Sequence, residues 1–389
     1  MSAVPKTAGF GTVNHPAPQA AAAHARFNPK YLPLAATISL FVAMATLGSV
    51  LYTGFFSAQV FLNLLIDNAF LIIVAVGMTF VILSGGIDLS VGSVLYTGFF
   101  SAQVFLNLLI DNAFLIIVAV GMTFVILSGG IDLSVGSVVA LTTMVLAALV
   151  EHRGWNPMVA IPLVLLMGTA FGAFMGFLIE RFRLQPFIVT LAGMFLARGL
   201  CYLISIDSIS ITHEGYSEMA QWRLPLWEGA SLSLGALIAI AVLLVALFVA
   251  HCTPFGRSVY AVGGSEHSAV LMGLPVRRTL IGVYTLSGFC SALAGVVFTF
   301  YMLSGYGLHA VGMELDAIAA VVIGGTLLTG GVGHVAGTLF GVLMLGIIQT
   351  LISFDGTLSS WWTRIVVGVL LFAFCLLQRL LSRRSGKAR

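Results

Sequence analysis

From Leu32 to Ile66 the chain carries no charged side chain, and runs of about 20 apolar residues, the length that crosses roughly 30 Å of hydrocarbon, recur almost to its end. Of the 389 residues 59% are hydrophobic and only 8% charged, against about 25% charged in an average soluble domain. An ordinary soluble protein is excluded, and the pattern describes an all-α polytopic membrane protein. The 43 glycines are spread through the apolar runs instead of collecting in linkers. A net charge of +3 from scattered basic residues does not describe a nucleic-acid binder. Cys201, Cys252, Cys290 and Cys375 stand far apart in or beside apolar stretches and read as small packing residues, not as a disulfide or metal set.

The charges that remain set the topology. Residues 1–31, with Lys6, Arg26 and Lys30, lack apolar periodicity and read as a flexible cytoplasmic tail. The run that follows is too long for a signal-peptide core and should stay as a span. Residues 382–389 form a basic tail, so both termini should lie in the cytoplasm and the number of spans should be even. Between the tails, residues 32–381 read as one transmembrane domain. The basic segments Glu180–Arg183 and 251–278 should be cytoplasmic, and the acidic loop from Ile206 to Gly229 should face outward. Spans are expected near 33–55, 157–179, 187–205, 230–250, 279–303 and 363–381, with shorter glycine-interrupted pieces near 68–86, 132–150, 317–328 and 335–352, ten in all.

To these an identical duplication, residues 50–93 repeated as 94–137, adds an extra hairpin of two runs, Leu89–Ile110 and Asn112–Ile131. Repeats kept for architecture diverge, so perfect identity marks a recent event. Removing either copy yields the same 345-residue chain, which should be the competent form.

Several chemistries are missing. The only lysines are Lys6, Lys30 and Lys387, so no P-loop lysine can reach a nucleotide phosphate. The histidines are single; His251, His267 and His334 read as loop or interfacial residues. Gly331-Val-Gly-His-Val-Ala336 matches a loose dinucleotide pattern but sits in a membrane segment with no soluble strand before it. Gly168, Gly172 and Gly176, and likewise Gly333, Gly337 and Gly341, recur every four residues and place a close-packing stripe on one helix face. That stripe fits either packing inside one bundle or a face against a second chain.

Three segments carry the function. In Gly121-Met-Thr-Phe-Val-Ile-Leu-Ser-Gly-Gly-Ile-Asp-Leu-Ser-Val-Gly-Ser137, an apolar run is interrupted by Ser128, Gly129, Gly130, Asp132 and Ser134. Backbone broken at membrane depth is tolerated only where protein buries it or a cavity lies beside it, which makes this a translocation-pathway candidate. Asp132 suits either a cap for the following helix or a direct substrate contact. The second segment, Val322-Ile-Gly-Gly-Thr326 with Gly324 and Gly325, has the same small-residue texture and follows Glu314 and Asp316. The third lies in the longest basic loop. There a short helix from near Ser265 to Gly273 should present Ala269, Leu271 and Met272 as a knob for a cytoplasmic partner.

Together GMTFVILSGGIDLSVGS, YAVGGSEHSAVLMGLP and ELDAIAAVVIGGTLLTGGVG resemble the permease subunits of ABC sugar importers of the ribose, xylose and galactofuranose branch, over about residues 33 to 381. LMG in the loop and FDGTLSSWW at 354–362 look closest to the galactofuranose permeases. The resemblance implies a multi-pass inner-membrane subunit in membrane lipid that pairs with a second permease, as a homodimer or heterodimer. It implies a periplasmic sugar-binding protein as donor and a separate two-cassette ATPase that binds the ATP, so that no cofactor or catalytic residue is expected on this chain. Gly263, Gly264, Ser265, Glu266, Ala269, Met272, Gly273, Leu274 and Pro275 would then form the coupling helix that fits the ATPase. The family usually has Gly-Gly-Asn where this chain has Gly263-Gly-Ser265. An ion-coupled secondary transporter is the rival reading, but its expected intramembrane carboxylates are reduced here to Asp132, Glu314 and Asp316 at segment ends.

Overall fold

The computed structural model describes residues 102–227, 230–355 and 361–386. The spans expected near 33–55 and 68–86, the first repeat copy and the tail 1–31 lie outside the described residues. Helices α1 (Ala102–Asp111), α2 (Ala113–Leu127) and α3 (Val135–Ala147, prolonged by a π-turn at Ala148–His152) open the described chain. They are followed by α4 (Pro157–Phe182) and α5 (Pro186–Ile204). An extended region then holds β1 (Ile209–Ser210), α6 (Glu214–Gln221), β2 (Arg223–Trp227) and β3 (Ala230–Ser233). After α7 (Leu234–Cys252) come α8 (Pro254–Gly264), α9 (Glu266–Leu271) and α10 (Val276–Met302). The chain closes through β4 (Ser304–Gly305), α11 (Met313–Ile323), α12 (Val335–Asp355) and α13 (Trp361–Gly386).

Helix starts follow local chemistry. Pro157, Pro186 and Pro254 each open a helix where a missing N–H is harmless. Asn156 accepts from Met158 N at 2.9 Å, Thr253 from Gly256 N at 3.2 Å and Ser265 from Ser268 N at 3.2 Å, satisfying first-turn donors.

Five helical stretches among the described residues, Val135–His152, Pro157–Phe182, Pro186–Ile204, Leu234–Cys252 and Val276–Met302, are long and apolar enough to cross a membrane. Ala113–Leu127, Val335–Thr350 and Trp362–Phe374 are apolar but shorter. Among the described residues the expected spans match with three differences. The run expected at 317–328 ends as helix at Ile323, because Gly324 and Gly325 break it. The span expected at 230–250 begins with a strand that pairs antiparallel with β2. Helix α13 continues through Arg379, Arg383 and Arg384 into the segment read as a tail.

One end of the bundle gathers residues 149–156, 205–227 and 303–312, and the other gathers 128–134, 180–186, 251–275 and 324–334. At the first end Glu151 accepts from Thr212 N at 2.7 Å, β1 pairs with β4, and the Tyr216 hydroxyl meets Thr299 Oγ1 at 2.5 Å. At the second end Arg183 pairs with Glu266 at 2.7 Å and Arg277 with Glu180 at 2.9 Å. The acidic outer loop and the basic inner loops expected from the sequence therefore segregate to opposite ends.

Helix α10 is the axial element, packed against α2, α3 and α4. A Cβ at Gly168 would lie 2.9 Å from Gly288 O, one at Gly172 2.9 Å from Gly288 Cα and one at Gly176 3.0 Å from Ile281 Cα. Of the second set, Gly337 and Gly341 do the same for α11 and α12, where a Cβ would overlap the Gly324 or Ala320 carbonyl oxygen, whereas Gly333 lies against Thr326 in the loop before α12, because that helix begins only at Val335. Both stripes are spent inside one bundle. Without a hydrophobic drive between helices in lipid, such close backbone approach carries much of the packing energy. Large side chains such as Leu166, Phe195, Leu203, Phe248 and Phe372 point outward from α4, α5, α7 and α13, as a lipid-facing surface requires.

The run Asn112–Ile131, expected as half of a surplus hairpin, instead supplies the most enclosed helix among the described residues: α2 buries 14 of its 15 residues, all but Phe114. Its copy continues from Ser137 into Val139, Ala140 and Met144, all 0% exposed, whereas the first copy runs on into Leu95-Tyr-Thr. Only the copy adjoining Val138 can extend into a buried α3.

Two outcomes follow for stability. Gly172→Leu should separate α4 from α10 and destabilise by about 3 kcal/mol, lowering the thermal midpoint in detergent, while Gly199→Leu, with nothing within 4 Å of its Cβ position, should not. Deleting residues 50–93 removes none of the described elements, so the 345-residue chain should reach the membrane in equal or greater amount, measured by immunoblot of membrane fractions beside the 389-residue chain.

Candidate functional site

Helices α2 and α11 are too short to cross a bilayer, at about 22 and 16 Å by a rise of 1.5 Å per residue, and both stop on a glycine. Gly129 has φ +86° and Gly325 φ +92°, the left-handed conformation that closes a helix without a Cβ penalty. Around them the hydrogen bonds are the same. Gly129 N donates to Ile126 O at 2.9 Å and Gly130 N to Val125 O at 3.0 Å; Gly325 N donates to Val322 O at 3.0 Å and Thr326 N to Val321 O at 3.2 Å. These are two Schellman caps, which satisfy the last helical carbonyls where no water is at hand. Thr123 Oγ1 meets Thr338 Oγ1 at 2.7 Å and ties α2 to α12.

Beyond the first cap the chain turns into α3 around Asp132. Its carboxylate accepts from Ser134 N at 2.9 Å, Ser134 Oγ at 2.6 Å and Ser287 Oγ at 2.7 Å, and it is 1% exposed. The carboxylate closes a turn just before α3, whose N-cap is Ser134, and pins that entry to α10. Tyr284, one turn before Ser287 on α10, aims its hydroxyl at Gly130, and that buried hydroxyl has no hydrogen-bond partner among the described residues. Ser128 is nearly buried and donates to Val125 O at 2.8 Å; Thr326 is wholly buried against Gly333. Ser287 and Tyr284 were not singled out by the sequence. Their signal is faint, a Ser-Gly step inside an apolar helix.

The α8–α9 corner sits at the same end of the bundle. Ser265 caps α9, and Gly273 follows it at φ +74°. Glu266 reaches Arg183 between α4 and α5. Leu274 packs with Ala269 and Val276 in a small cluster of its own. Ala269, expected on the presented face, is 0% exposed, and the outward apolar face is Val270, Leu271 and Met272 at 54, 74 and 66%. A six-residue helix shows one side only, and Ala269 occupies the inner one. Between α9 and the two ion pairs lies a hollow of about 350 Å³, bordered by Glu180, Arg183, Val270, Leu274, Pro275 and Arg277.

Gly263 faces inward along the bundle, whereas Gly264 is exposed. A Cβ on Gly263 would overlap the Leu127 carbonyl oxygen and lie 2.6 Å from Gly331 N, and Gly331 N itself donates to Leu127 O at 2.9 Å. Tyr260 donates to Gly333 O at 2.9 Å. Burial pushes the Tyr260 phenol up to about 12, so it remains the donor at cellular pH. The structure thus brings Gly263 against Leu127 at the end of α2, and Gly263 and Gly264 against the loop that follows Thr326. The Gly331–Ala336 segment runs from that loop into α12 with no strand leading into it, as expected.

The comparisons with known proteins agree on one family. Residues 104–375 match the family model described as branched-chain amino acid transport system / permease component. The chain is 56% identical over 350 residues to the inner membrane ABC transporter permease protein YjfF of Escherichia coli, covering 90% of this chain and 92% of that one. It is 38% identical over 367 residues to the fructose import permease protein FruG of Bifidobacterium longum, at 93 and 94% coverage. It is 39% identical over 346 residues to the ribose import permease protein RbsC of Bacillus subtilis, at 88 and 91% coverage. No solved structure matches. With most of its length matched by the family model and by these relatives, the chain belongs to the ABC-transporter permease family described as the branched-chain amino acid transport system permease component.

Proposed function

We propose that the chain is the membrane-spanning permease subunit of an ATP-driven importer of a monosaccharide, galactofuranose-like or a pentose, in the bacterial inner membrane. The sugar class comes from the relatives, named for fructose and ribose import; the family description alone names an amino acid. The observation that carries the reading is the α8–α9 corner. It projects the exposed apolar side chains Val270, Leu271 and Met272 from the basic end of the bundle while its root lies against the last carbonyl of α2 and the loop that follows α11. A surface of that kind has no use in a permease that works alone, and it suits a cytoplasmic ATPase that binds and splits the ATP.

The remaining assignments follow from this reading. Ten spans with cytoplasmic termini put Val270–Met272 toward the ATPase, the strand-bearing end toward a periplasmic sugar-binding protein, and part of the outward apolar face against a second permease. Ser128, Gly129, Gly130, Asp132, Ser134, Gly324, Gly325 and Thr326 frame the pathway at the turns of α2 and α11. The ion-coupled alternative finds no support. Asp132 is engaged by two serines, and Arg198 is spent on the carbonyls of Gly307 and His309 at 2.6 and 2.7 Å.

The test is reconstitution of the permease with its ATPase and binding protein in vesicles, assaying pentoses and hexoses in both ring forms; ATP-independent, ion-driven uptake would sink the reading. Leu271→Glu with Met272→Glu should leave the amount in the membrane unchanged and abolish co-purification of the ATPase, since both side chains are exposed and a buried charge is tolerated poorly at an interface. Asp132→Ala leaves Ser134 and Ser287 without their acceptor and should lower uptake by about ten-fold, an unsatisfied buried donor costing about 1 to 3 kcal/mol. Asp132→Asn, which keeps one acceptor oxygen, should fall between that variant and Glu218→Asn in the outer loop, which should transport normally.

A further inference from the structure

Among the described glycines, Gly263 is the one whose added Cβ would overlap neighbouring backbone most, and it lies between the two regions that the sequence treats separately. Three chain segments meet there without a side chain between them: the end of α2 at Leu127–Gly129, the end of α8 at Gly263–Gly264, and the loop at Gly330–Gly331 between α11 and α12. Besides the Gly263 contacts already described, a Cβ on Gly331 would lie 2.6 Å from Gly264 Cα, and one on Gly330 would lie 2.8 Å from Gly129 N and 3.0 Å from Gly263 O. Gly330 and Gly331 are left-handed, at φ +81° and +73°. A second tether runs alongside, Tyr260 to Gly333 O, with His251 against Tyr260 and against His334 at ring separations of 6.2 and 5.6 Å.

We propose that Gly263 is a positioning residue, the joint through which a displacement of the α8–α9 corner reaches the turn of α2 and the α11–α12 loop together. The proposal rests on the importer reading and extends it from where an ATPase docks to how docking moves the pathway. The Leu127 carbonyl is the shared element, since it accepts from Gly331 N and lies against Gly263, so a shift of α8 pushes on the last carbonyl of α2 and on its acceptor bond to the loop at once. A side chain at residue 263 would hold these segments apart. Gly199, on the outer side of α5, has nothing within 4 Å of its Cβ position and supplies the control.

The experiment uses the complete importer in vesicles and reads sugar taken up per ATP hydrolysed, with ribose, xylose and galactofuranose assayed in parallel. Gly263→Ala should keep its membrane level and its ATPase, and its uptake per ATP should fall by about ten-fold, within the range of coupling energies between distant sites. Gly199→Ala should match the unaltered complex. If Gly263→Ala fails to reach the membrane, Tyr260→Phe decides, because it loosens the Gly333 tether with no added volume and should lower uptake per ATP while leaving hydrolysis intact. An unchanged ratio in Gly263→Ala, or in Tyr260→Phe where the first variant does not insert, overturns the joint while leaving the importer reading standing. An unaltered complex without ATP-dependent uptake overturns the importer reading and the joint with it.

Discussion

Everything in this bundle is arranged around two helices that stop short inside it. In a medium without water a helix end leaves carbonyls that only protein can satisfy, and each one missed costs several kcal/mol. The chain meets that demand twice in the same way, at Ser128–Gly130 and Gly324–Thr326, with a left-handed glycine and a pair of returning N–H groups. Once those ends are fixed, their neighbours have little freedom. Helix α10 must bring Ser287 to the Asp132 carboxylate, α12 must bring Thr338 to Thr123, and the loop after α11 must bring Gly331 N to the one α2 carbonyl that the cap leaves over.

Glycine has two physical roles here. In α4 and α12 it is a spacer of zero width that lets backbones touch, which replaces hydrophobic drive with dispersion contact. At residues 129, 325, 330 and 331 it is a conformational licence, since the backbone there adopts positive φ. Gly263 belongs to the first kind by geometry, yet it sits where the second kind congregates.

Much of the architecture was legible in the sequence because length, charge and proline act locally. Spans were placed within a few residues wherever Pro157, Pro186 or a basic loop marked the end. The misplacements have physical causes. Residues 324–328 stay apolar beyond the helix, so hydropathy overran a break that only glycine conformation sets. Strand β2 falls in a long loop and β3 in the first residues of an expected span, which hid their pairing. The pathway motifs stood out because Gly-Gly and a carboxylate interrupt apolar runs, but the partner Ser287 is distant in sequence and looks like any helical serine. Which side of α9 faces out depends on Val262 and Val276, the neighbours that enclose Ala269. The two repeat copies are indistinguishable by their own residues, and what separates them is only the chain that follows Ser137.

Helices α2 and α11 run the same way, so their C-terminal ends converge near the α8–α9 corner. A helix end of that polarity carries roughly half a negative charge and disfavours an anion by about 0.3 to 1 kcal/mol. Two convergent ends of that sign penalise an anionic group at this end of the described bundle and leave a neutral one untouched, so the direction of the two half-helices sets a charge preference before any side chain contributes.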